Sequence, residues 1–389
     1  MDPLTFLAIA AFIWILVFIL AQYIGFEKLN ERGIEASTPF FLLIKTERLN
    51  AFLTKWGKKS PRAFWNVGVA VGFGGMIFGF YIFADNFIKF FTQPAQAGGV
   101  VPIIPGVTIT GLPLVYMLIG LAVTLITHEF AHGLASSRED IPIKSSGLLF
   151  FYVIFGGFVE PDEETFEQKA GPKSRMRMLA AGSFANLITG LIVLILIANF
   201  NPIASIAYNP PNGAYIYETQ AGSPGAAALQ IGDVIVGLND TEINTWLDVG
   251  LFMANTTSGS LLTLHLKDGS SPTIILAENP SNASLGYIGV FGADNWEPKP
   301  GWDVIFTPLT VFHAQQILSW LWIILISIGL LNLLPIPAFD GDKLLSNALS
   351  LVTEDQQKIK YVMWPARILS ITILLGSIIL SLVLGKAIF

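Results

Sequence analysis

Long apolar stretches dominate the hydrophobic pattern of this chain. Six of them contain no Asp, Glu, Lys, Arg or His and approach or exceed the roughly 20 residues that a membrane-spanning helix needs: residues 3–26, 63–84, 107–127, 178–200, 317–337 and 368–385. Residues 3–26 lack a basic start and an A-x-A cleavage site, so we interpret them as a retained helix and not as a signal peptide. The pattern predicts a mainly α polytopic membrane protein with about six transmembrane helices.

Composition and charge exclude several classes of protein and of functional site. Hydrophobic residues make up 53% of the 389 residues and charged residues only 13%, whereas soluble domains carry about 25% charge. The chain has no cysteine, which excludes disulfides, iron–sulfur clusters and a cysteine nucleophile. Its net charge is −6 and it has no long basic run, which argues against binding to nucleic acid.

The Lys and Arg residues predict the orientation, because cytoplasmic loops are enriched in them. Of the 22 Lys and Arg residues, 18 fall in alternate loops: Lys28, Arg32, Lys45, Arg48, Lys55, Lys58, Lys59 and Arg62; Arg138, Lys144, Lys169, Lys173, Arg175 and Arg177; Lys343, Lys358, Lys360 and Arg367. We therefore expect a cell-membrane protein whose basic loops are cytoplasmic. Both termini and residues 201–316 would lie outside.

The pattern divides the chain into six segments. The first two, residues 1–62 and 63–112, each hold one helix and a loop. Residues 113–200 and 301–345 carry the candidate chemistry, and residues 346–389 form a cytoplasmic loop and the last helix. Residues 201–300 are polar, with short strands and two short helices predicted, and "AGSPGAAALQIGDVIVGLND" in this segment resembles the centre of a PDZ domain. PDZ domains bind extended peptides at a sheet edge, so this α/β region is expected to contact a peptide or the substrate.

The third span runs into His128-Glu129-Phe130-Ala131-His132. Residues four apart share a helix face, so His128 and His132 can direct one nitrogen each at a single metal ion. Glu129 can then act on water as a general base, the arrangement of H-E-x-x-H zinc sites. Ionisable residues within a membrane span are costly, about 2.5–3.5 kcal/mol for a charge at the centre on insertion scales, and a bound dication would offset that cost.

Catalytic zinc usually has three protein ligands, so a carboxylate is needed beside the two histidines. The fifth span ends in Asn332-Leu-Leu-Pro-Ile-Pro-Ala-Phe-Asp340-Gly341, an interruption of the kind tolerated where backbone is buried in protein or lines a wet cavity. In the predicted topology Asp340 and the two histidines end inward-running helices at one depth. Asp340 is the candidate third ligand, and the alternatives are Asp342, Glu160 and Asp162.

These two motifs together resemble the site-2 protease family of intramembrane zinc metalloproteases, in particular its PDZ-bearing members. The resemblance covers residues from about 113 to 345. It implies one zinc per chain bound by His128, His132 and Asp340, with Glu129 as general base. It also implies that Asn332 helps to bind substrate or to stabilise the oxyanion. The expected reaction is hydrolysis of peptide bonds within or near a transmembrane segment, and the expected partners are a single-pass membrane protein and the lipid bilayer.

Two further stretches resemble elements of that family. The run "FGGFVEP" at 155–161 is similar to its membrane-associated β-hairpin, which implies substrate contact by Gly156, Gly157, Phe158 and Val159. As an edge strand, residues 145–159 could pair with an unwound substrate; the alternative is a structural re-entrant hairpin. "AAGSFANLI" at 180–188 is similar to a G-x-x-x-N helix, which implies that Gly182 and Asn186 lie near the site. Asn186 could bind substrate or serve as an interhelical hydrogen-bonding residue.

Two other classes of protein were weighed. A transporter can also use broken helices at membrane depth, but it predicts internal repeats, and the two halves of this chain contain none that we can detect. A membrane scaffold presenting a PDZ-like region would have no use for the two motifs. Both alternatives leave Glu129, next to His128, without a role.

Overall fold

The computed structural model describes residues 3–36 and 38–386. Within these residues, six helices are long and apolar enough to cross a membrane: α1 (Pro3–Ile24), α4 (Arg62–Thr92), α5 (Gly111–Arg138), α6 (Pro172–Ala198), α10 (Pro308–Leu331) and α12 (Gln356–Val383). Each of the six predicted stretches falls on one of them. The two chain ends, predicted to be extracytoplasmic, lie in part outside the described residues.

Helices α4 and α12 extend well beyond the apolar stretches that predicted them. Helix α4 continues past residue 84 because Asp85 and Lys89, one turn apart, form an ion pair at 2.6 Å. Helix α12 begins at Gln356 and not at residue 368, because the Asp355 side chain accepts hydrogen bonds from the backbone N–H groups of the first turn. Such a cap satisfies donors that have no partner within the helix. Polar pairing and capping therefore extend helices beyond their hydrophobic part.

Residues 27–62, predicted as a basic cytoplasmic loop between the first two spans, contain short helices and strands that the sequence pattern did not indicate. They hold part of α2 (Phe26–Glu31), the strands β1 (Ile34–Glu35) and β2 (Phe41–Lys45), and α3 (Glu47–Lys59). Strands β1 and β2 join β3 (Ile143–Phe151) and β4 (Ile154–Pro161) in an antiparallel sheet of order β1-β2-β3-β4. The pairing of β2 with β3 joins segments about a hundred positions apart, which local sequence patterns do not reveal.

Helix α3 packs against α5 through a small amphipathic face. Leu53 is fully buried, and Gly57 lies so close that a Cβ atom there would be 2.5 Å from the Leu134 carbonyl oxygen. Only glycine allows this approach without a backbone shift. The contact places α3 beside the last turns of α5, where His132 lies.

Helices α4 and α6 pack with the segment after α10 around a shared apolar core. This core includes Met76 of α4, Met178 and Leu179 of α6, Leu333, and Leu344 of α11 (Asp340–Leu349). It joins three parts of the chain that are far apart in sequence. This packing holds the residues next to the candidate site in α6 and at the start of α11.

Residues Leu196–Gln316 form a separate compact unit. Its helices are α7 (Phe200–Ala204), α8 (Pro224–Ala228) and α9 (Trp246–Met253), and its strands are β5 (Ala214–Thr219), β6 (Val234–Leu238), β7 (Thr241–Glu242), β8 (Leu261–Leu266), β9 (Thr273–Ile275), β10 (Ala277–Asn279), β11 (Asn282–Tyr287) and β12 (Val290–Asp294). Six strands form one sheet of order β12-β5-β6-β8-β9, with β7 paired to β6, and β10 pairs with β11. Its core includes Ile216, Ile235 and Leu264, all fully buried.

Candidate metal centre

Helix α5 brings two imidazole rings to one face. His128 and His132 are both buried, at 7% and 8% exposure, and their Nε2 atoms lie 3.1 Å apart. The four-residue spacing places both side chains on one helix face. The predicted pair is therefore assembled, with both nitrogens directed at one point.

Asp340 reaches the same point from a break in the helical backbone. Helix α10 ends at Leu331, and not at residue 337 as the apolar stretch suggested, and α11 begins at Asp340. The Gly341 N–H donates to the Asn332 carbonyl oxygen at 2.8 Å, and a Cβ atom at Gly341 would lie 1.9 Å from the Leu333 carbonyl oxygen. The Asp-Gly pair therefore meets a requirement of this turn: the second residue must have no side chain.

The three candidate ligand atoms form a nearly equilateral triangle. Asp340 Oδ2 lies 3.1 Å from His132 Nε2 and 3.3 Å from His128 Nε2, and the two nitrogens are 3.1 Å apart. Ligands at about 2.0–2.1 Å from zinc in a tetrahedral site are separated by roughly 3.3–3.4 Å. The donor set and its spacing therefore fit a zinc ion with a fourth position left for water or substrate.

Hydrogen bonds on the far side of each imidazole orient the ring. His132 Nδ1–H donates to the Met178 carbonyl oxygen at 2.8 Å, which leaves its Nε2 lone pair for a metal. Asn186 is fully buried, with its side-chain amide 3.2 Å from His128 Nδ1 and 3.0 Å from the Thr127 hydroxyl. In the structure the Thr127 hydroxyl donates to the amide oxygen of Asn186, and the amide nitrogen faces His128 Nδ1. Metal binding through His128 Nε2 requires a proton on Nδ1, and therefore the opposite orientation of the amide, with its oxygen accepting from Nδ1–H.

Asn186 was predicted to contact substrate, and that role stays a prediction. Its contact with His128 Nδ1 makes it a candidate for orienting this ring. No sequence pattern identifies the Met178 carbonyl oxygen, because every residue carries one. The neighbourhood of Thr127 and Asn186 could have been noticed only by assuming that α5 and α6 pack side by side.

Gly182 on α6 leaves space for both imidazoles. A Cβ atom at this position would lie 2.5 Å from His128 Nε2 and 2.5 Å from His132 Nε2. Any other residue would therefore occupy the volume in which the ligand atoms meet. Gly182 lies next to the site, as the G-x-x-x-N resemblance implied.

Glu129 points to the neighbouring sheet. Its Oε2 accepts a hydrogen bond from the Val159 N–H of β4 at 3.2 Å. Since outward and inward groups alternate along an antiparallel strand, Phe155 and Gly157 present their N–H and C=O groups on the same outer edge as Val159. Strand β4 is the edge of its sheet, whereas β3 is internal. The expectation that residues 145–159 as a whole form an edge is therefore corrected: only β4 does.

Two glycines bring β4 close to α5. A Cβ atom at Gly156 would lie 2.7 Å from Leu125 Cβ, and one at Gly157 would lie 3.4 Å from Ile126 Cα. This approach holds β4 beside the helix that carries Glu129. Phe158, the other residue of the predicted substrate-binding group, pairs with Gly147 of β3.

The three alternative carboxylates have other partners. Asp342 accepts two hydrogen bonds from Arg367, at 2.6 and 2.7 Å. Glu160 accepts one from the Ser145 hydroxyl at 2.6 Å. Asp162 accepts hydrogen bonds from Thr165, which lower the pKa of its carboxyl, and it pairs with Lys144 at 3.4 Å. Asp340 alone among the four lies against both histidines.

The Asn332 side chain contacts two of the three candidate metal ligands. Its Nδ2 donates to Asp340 Oδ2 at 2.7 Å and lies 3.2 Å from His128 Nε2. In this arrangement Asn332 orients Asp340, and its predicted contact with substrate or an oxyanion stays a prediction.

A cleft of about 480 Å³ opens onto the three candidate ligands. Glu129, Val159 and Asn332 line it as well, together with the charged side chains of Glu160, Glu163, Lys144 and Lys343. Sites of this size accept small ligands or a short peptide segment. The cleft thus brings together two imidazoles and one carboxylate that could hold a metal ion, with the Glu129 carboxylate beside them.

Comparison with known proteins agrees with this class. The family model described as Peptidase family M50 matches residues 116–376. This is more than half of the chain, which therefore belongs to peptidase family M50, the site-2 protease family of membrane zinc metalloproteases.

Two relatives differ in how much of them the chain matches. It is 32% identical over 152 residues to an uncharacterized protein of Methanocaldococcus jannaschii, covering 39% of this chain and 36% of that protein. It is 24% identical over 274 residues to a protein of Fusobacterium nucleatum provisionally named a zinc metalloprotease, covering 58% of this chain and 79% of the relative. The chain thus spans about a third of the length of the first relative (36%) and most of the second.

Solved structures similar to part of the chain are PDZ domains. One is from an SdrC-like protein of Listeria monocytogenes, with 19% identity, a TM-score of 0.19, and 21% of this chain and 87% of that chain covered. The other is from an SdrC-like protein of Listeria innocua, with 17% identity, a TM-score of 0.19, and 21% and 92% covered.

Proposed function

We propose that this protein hydrolyses peptide bonds within or near transmembrane segments of membrane-protein substrates, as a zinc-dependent intramembrane protease. The observation that supports the proposal most directly is the triangle of His128, His132 and Asp340, whose ligand atoms lie 3.1–3.3 Å apart with Glu129 beside them. The two histidines lie on α5, an apolar helix long enough to cross a membrane.

In the proposed site, His128, His132 and Asp340 hold one zinc ion. Zinc in such a site supplies Lewis acidity, which lowers the pKa of water to about 7 and polarises a carbonyl group. Glu129 accepts the proton of the attacking water and delivers it to the leaving amine nitrogen, which is the task of a general acid–base residue. Asn332 keeps Asp340 in place through its 2.7 Å hydrogen bond.

A helical substrate must unwind before its carbonyl groups become accessible, and β4 offers a template for the extended form. The outer edge of β4 lies next to Glu129, which Val159 contacts. A substrate strand paired to Phe155 and Gly157 would satisfy backbone groups that have no water to bind at membrane depth. We infer that β4 is the strand to which the substrate adds.

The Lys and Arg bias supports a cleft that opens to the cytoplasm, with Leu196–Gln316 outside. In that orientation the PDZ-like unit meets the outer part of a substrate first. We infer that it binds this part or excludes substrates with bulky outer domains. The cytoplasmic part of the substrate would be released on the side of the cleft.

The test uses the purified full-length protein in phosphatidylcholine vesicles. The substrate is a synthetic single-span peptide of Leu, Ala and Val flanked by lysines, and the products are identified by mass spectrometry. The proposal expects cleavage inside or next to the apolar segment, its loss with a zinc chelator and its return when zinc is restored. Cleavage that is insensitive to the chelator would contradict the proposal.

A further inference from the structure

The tip of the β3–β4 hairpin is bound to α1. The Trp14 Nε1–H donates to the Tyr152 carbonyl oxygen at 2.6 Å, and the Tyr152 hydroxyl donates to the Leu7 carbonyl oxygen at 2.6 Å. Tyr152 is therefore held to the helix through both its backbone and its side chain. Helix α1 lies outside residues 116–376, the part of the chain that the family model matches.

These hydrogen bonds lie beside α1 and α5, two helices long and apolar enough to cross a membrane. Tyr152 and Trp14 line an apolar crevice of about 360 Å³ together with Leu118. Leu118 precedes the end of α5 at Arg138 by about 30 Å at 1.5 Å per residue. None of the side chains lining the crevice carries a charge. Hydrogen bonds there do not compete with water, so they fix position strongly.

Tyr152 occupies a backbone conformation that favours glycine. It is the first of the two residues between β3 and β4 and has a φ of 54°. Two-residue hairpin turns with a positive φ at this point usually have glycine there. A tyrosine at such a position is strained, and strain of this kind persists only where the surroundings fix the conformation. Tyr152 makes two hydrogen bonds with α1, one through its backbone carbonyl oxygen and one through its side-chain hydroxyl. A glycine could make only the first.

Strand β4 is thus fixed at both ends. At one end Tyr152, two residues before Ile154, is bound to α1; at the other, Val159 is bound to Glu129 at 3.2 Å. The outer edge at Phe155 and Gly157 lies between these two points. Release of the tip would leave this edge held only at its Val159 end, so that Phe155 and Gly157 are less well placed to pair with an extended strand.

We propose that Trp14 and Tyr152 are positioning residues, through which α1 holds the substrate-pairing edge of β4 in place for binding. This inference rests on the proposed function, since it assumes that the substrate pairs with β4. Loss of the anchor weakens the binding of an extended substrate. It does not alter the ligands of the metal or the general base, so KM changes and kcat does not.

The experiment compares Trp14→Phe combined with Tyr152→Phe, Tyr152→Gly alone, and the matched control Tyr23→Phe, a tyrosine on the same helix that is 88% exposed. With the lysine-flanked peptide in phosphatidylcholine vesicles, we expect KM to rise about tenfold in the double variant, the effect of one well-placed hydrogen bond. We expect kcat within about twofold of the original and full zinc content. The Tyr23→Phe variant should match the unaltered enzyme.

Tyr152→Gly separates anchoring from turn formation. Glycine suits the φ of 54°, so a residue needed only for the turn would be replaced without loss, and KM would stay the same. The proposal expects KM to rise. An unchanged KM in both variants, or a loss of zinc together with kcat, would overturn it.

Amide hydrogen exchange gives a readout that does not depend on cleavage. In full-length protein in the same vesicles, the amides of residues 154–159 should exchange faster in Tyr152→Gly than in Tyr23→Phe, and equal rates would overturn the anchor. If the unaltered enzyme does not cleave the peptide, the proposed function fails, while the exchange rates still decide whether α1 fixes β4.

Discussion

Substitution of Gly182 by alanine is a sensitive probe of the metal centre. The added methyl carbon would lie 2.5 Å from the Nε2 atoms of His128 and His132, about 1 Å closer than ordinary contact between non-bonded atoms. To relieve this, one or both rings must move by several tenths of an ångström or more, whereas metal–ligand distances tolerate about 0.2 Å. The clash is therefore with the ligand atoms themselves.

The expected cost follows from that displacement. Disturbing a group that only orients a ligand typically weakens metal binding 10–100-fold, and here two ligands are displaced directly. We expect zinc affinity to fall by at least about 100-fold, or roughly 2.7 kcal/mol, with a parallel loss of cleavage. Alanine is also a better helix former than glycine by roughly 0.5–1 kcal/mol, so the helix itself is not weakened.

The assay is a competition titration of zinc against a chelator, with thermal unfolding of the metal-free protein measured alongside. The matched control is Gly74→Ala, at a helical glycine where an added Cβ has no neighbour within 4 Å. It should bind zinc as the original protein does. Zinc affinity in Gly182→Ala equal to that of the control would refute the proposed packing of α6 against the histidines.

Three further predictions concern ligands and orientation. Asp340→Ala should lower zinc content. Asp342→Asn should keep the zinc but lower the unfolding temperature, because it weakens a partly buried ion pair with two hydrogen bonds from Arg367, a loss of roughly 1.5–3 kcal/mol. The reverse pattern, by metal analysis and calorimetry, would make Asp342 the ligand. Asn186→Leu should weaken zinc binding about 10–100-fold by releasing His128, and unchanged affinity in the chelator titration would limit Asn186 to another role. In a chain without cysteine, Ser281→Cys should react with an impermeant thiol reagent applied outside and Gln168→Cys only after permeabilisation; the opposite result would invert the orientation.

More of the candidate site than of the surrounding fold could be predicted from the sequence. The spacing of His128 and His132 and the interruption at Asn332–Asp340 are local patterns, and the structure brings their ligand atoms within 3.3 Å. The choice of Asp340 over Asp342 depends on Arg367, 25 residues beyond Asp342, and no local pattern announces that pairing. The hydrogen bond from His132 to the Met178 carbonyl oxygen uses a group that every residue has.

The parts that were missed depend on long-range contacts. Residues 27–62 were assigned to a loop because their charges outweigh their short apolar runs. Strand β2 is stabilised by pairing with β3, and α3 by burying Leu53 against the protein. The hydrogen bonds between α1 and Tyr152 could not be predicted either, because the apolar composition of α1 indicates only that it inserts into lipid.

The most direct test of the central claim is Glu129→Gln, measured for zinc content and for cleavage of the lysine-flanked peptide in vesicles. The amide cannot accept a proton, but His128, His132 and Asp340 are unchanged. The account predicts about one zinc per chain, as in the unaltered protein, and no cleavage. Cleavage at the original rate would contradict the role of Glu129 as general base, and loss of zinc would make Glu129 a ligand of the metal.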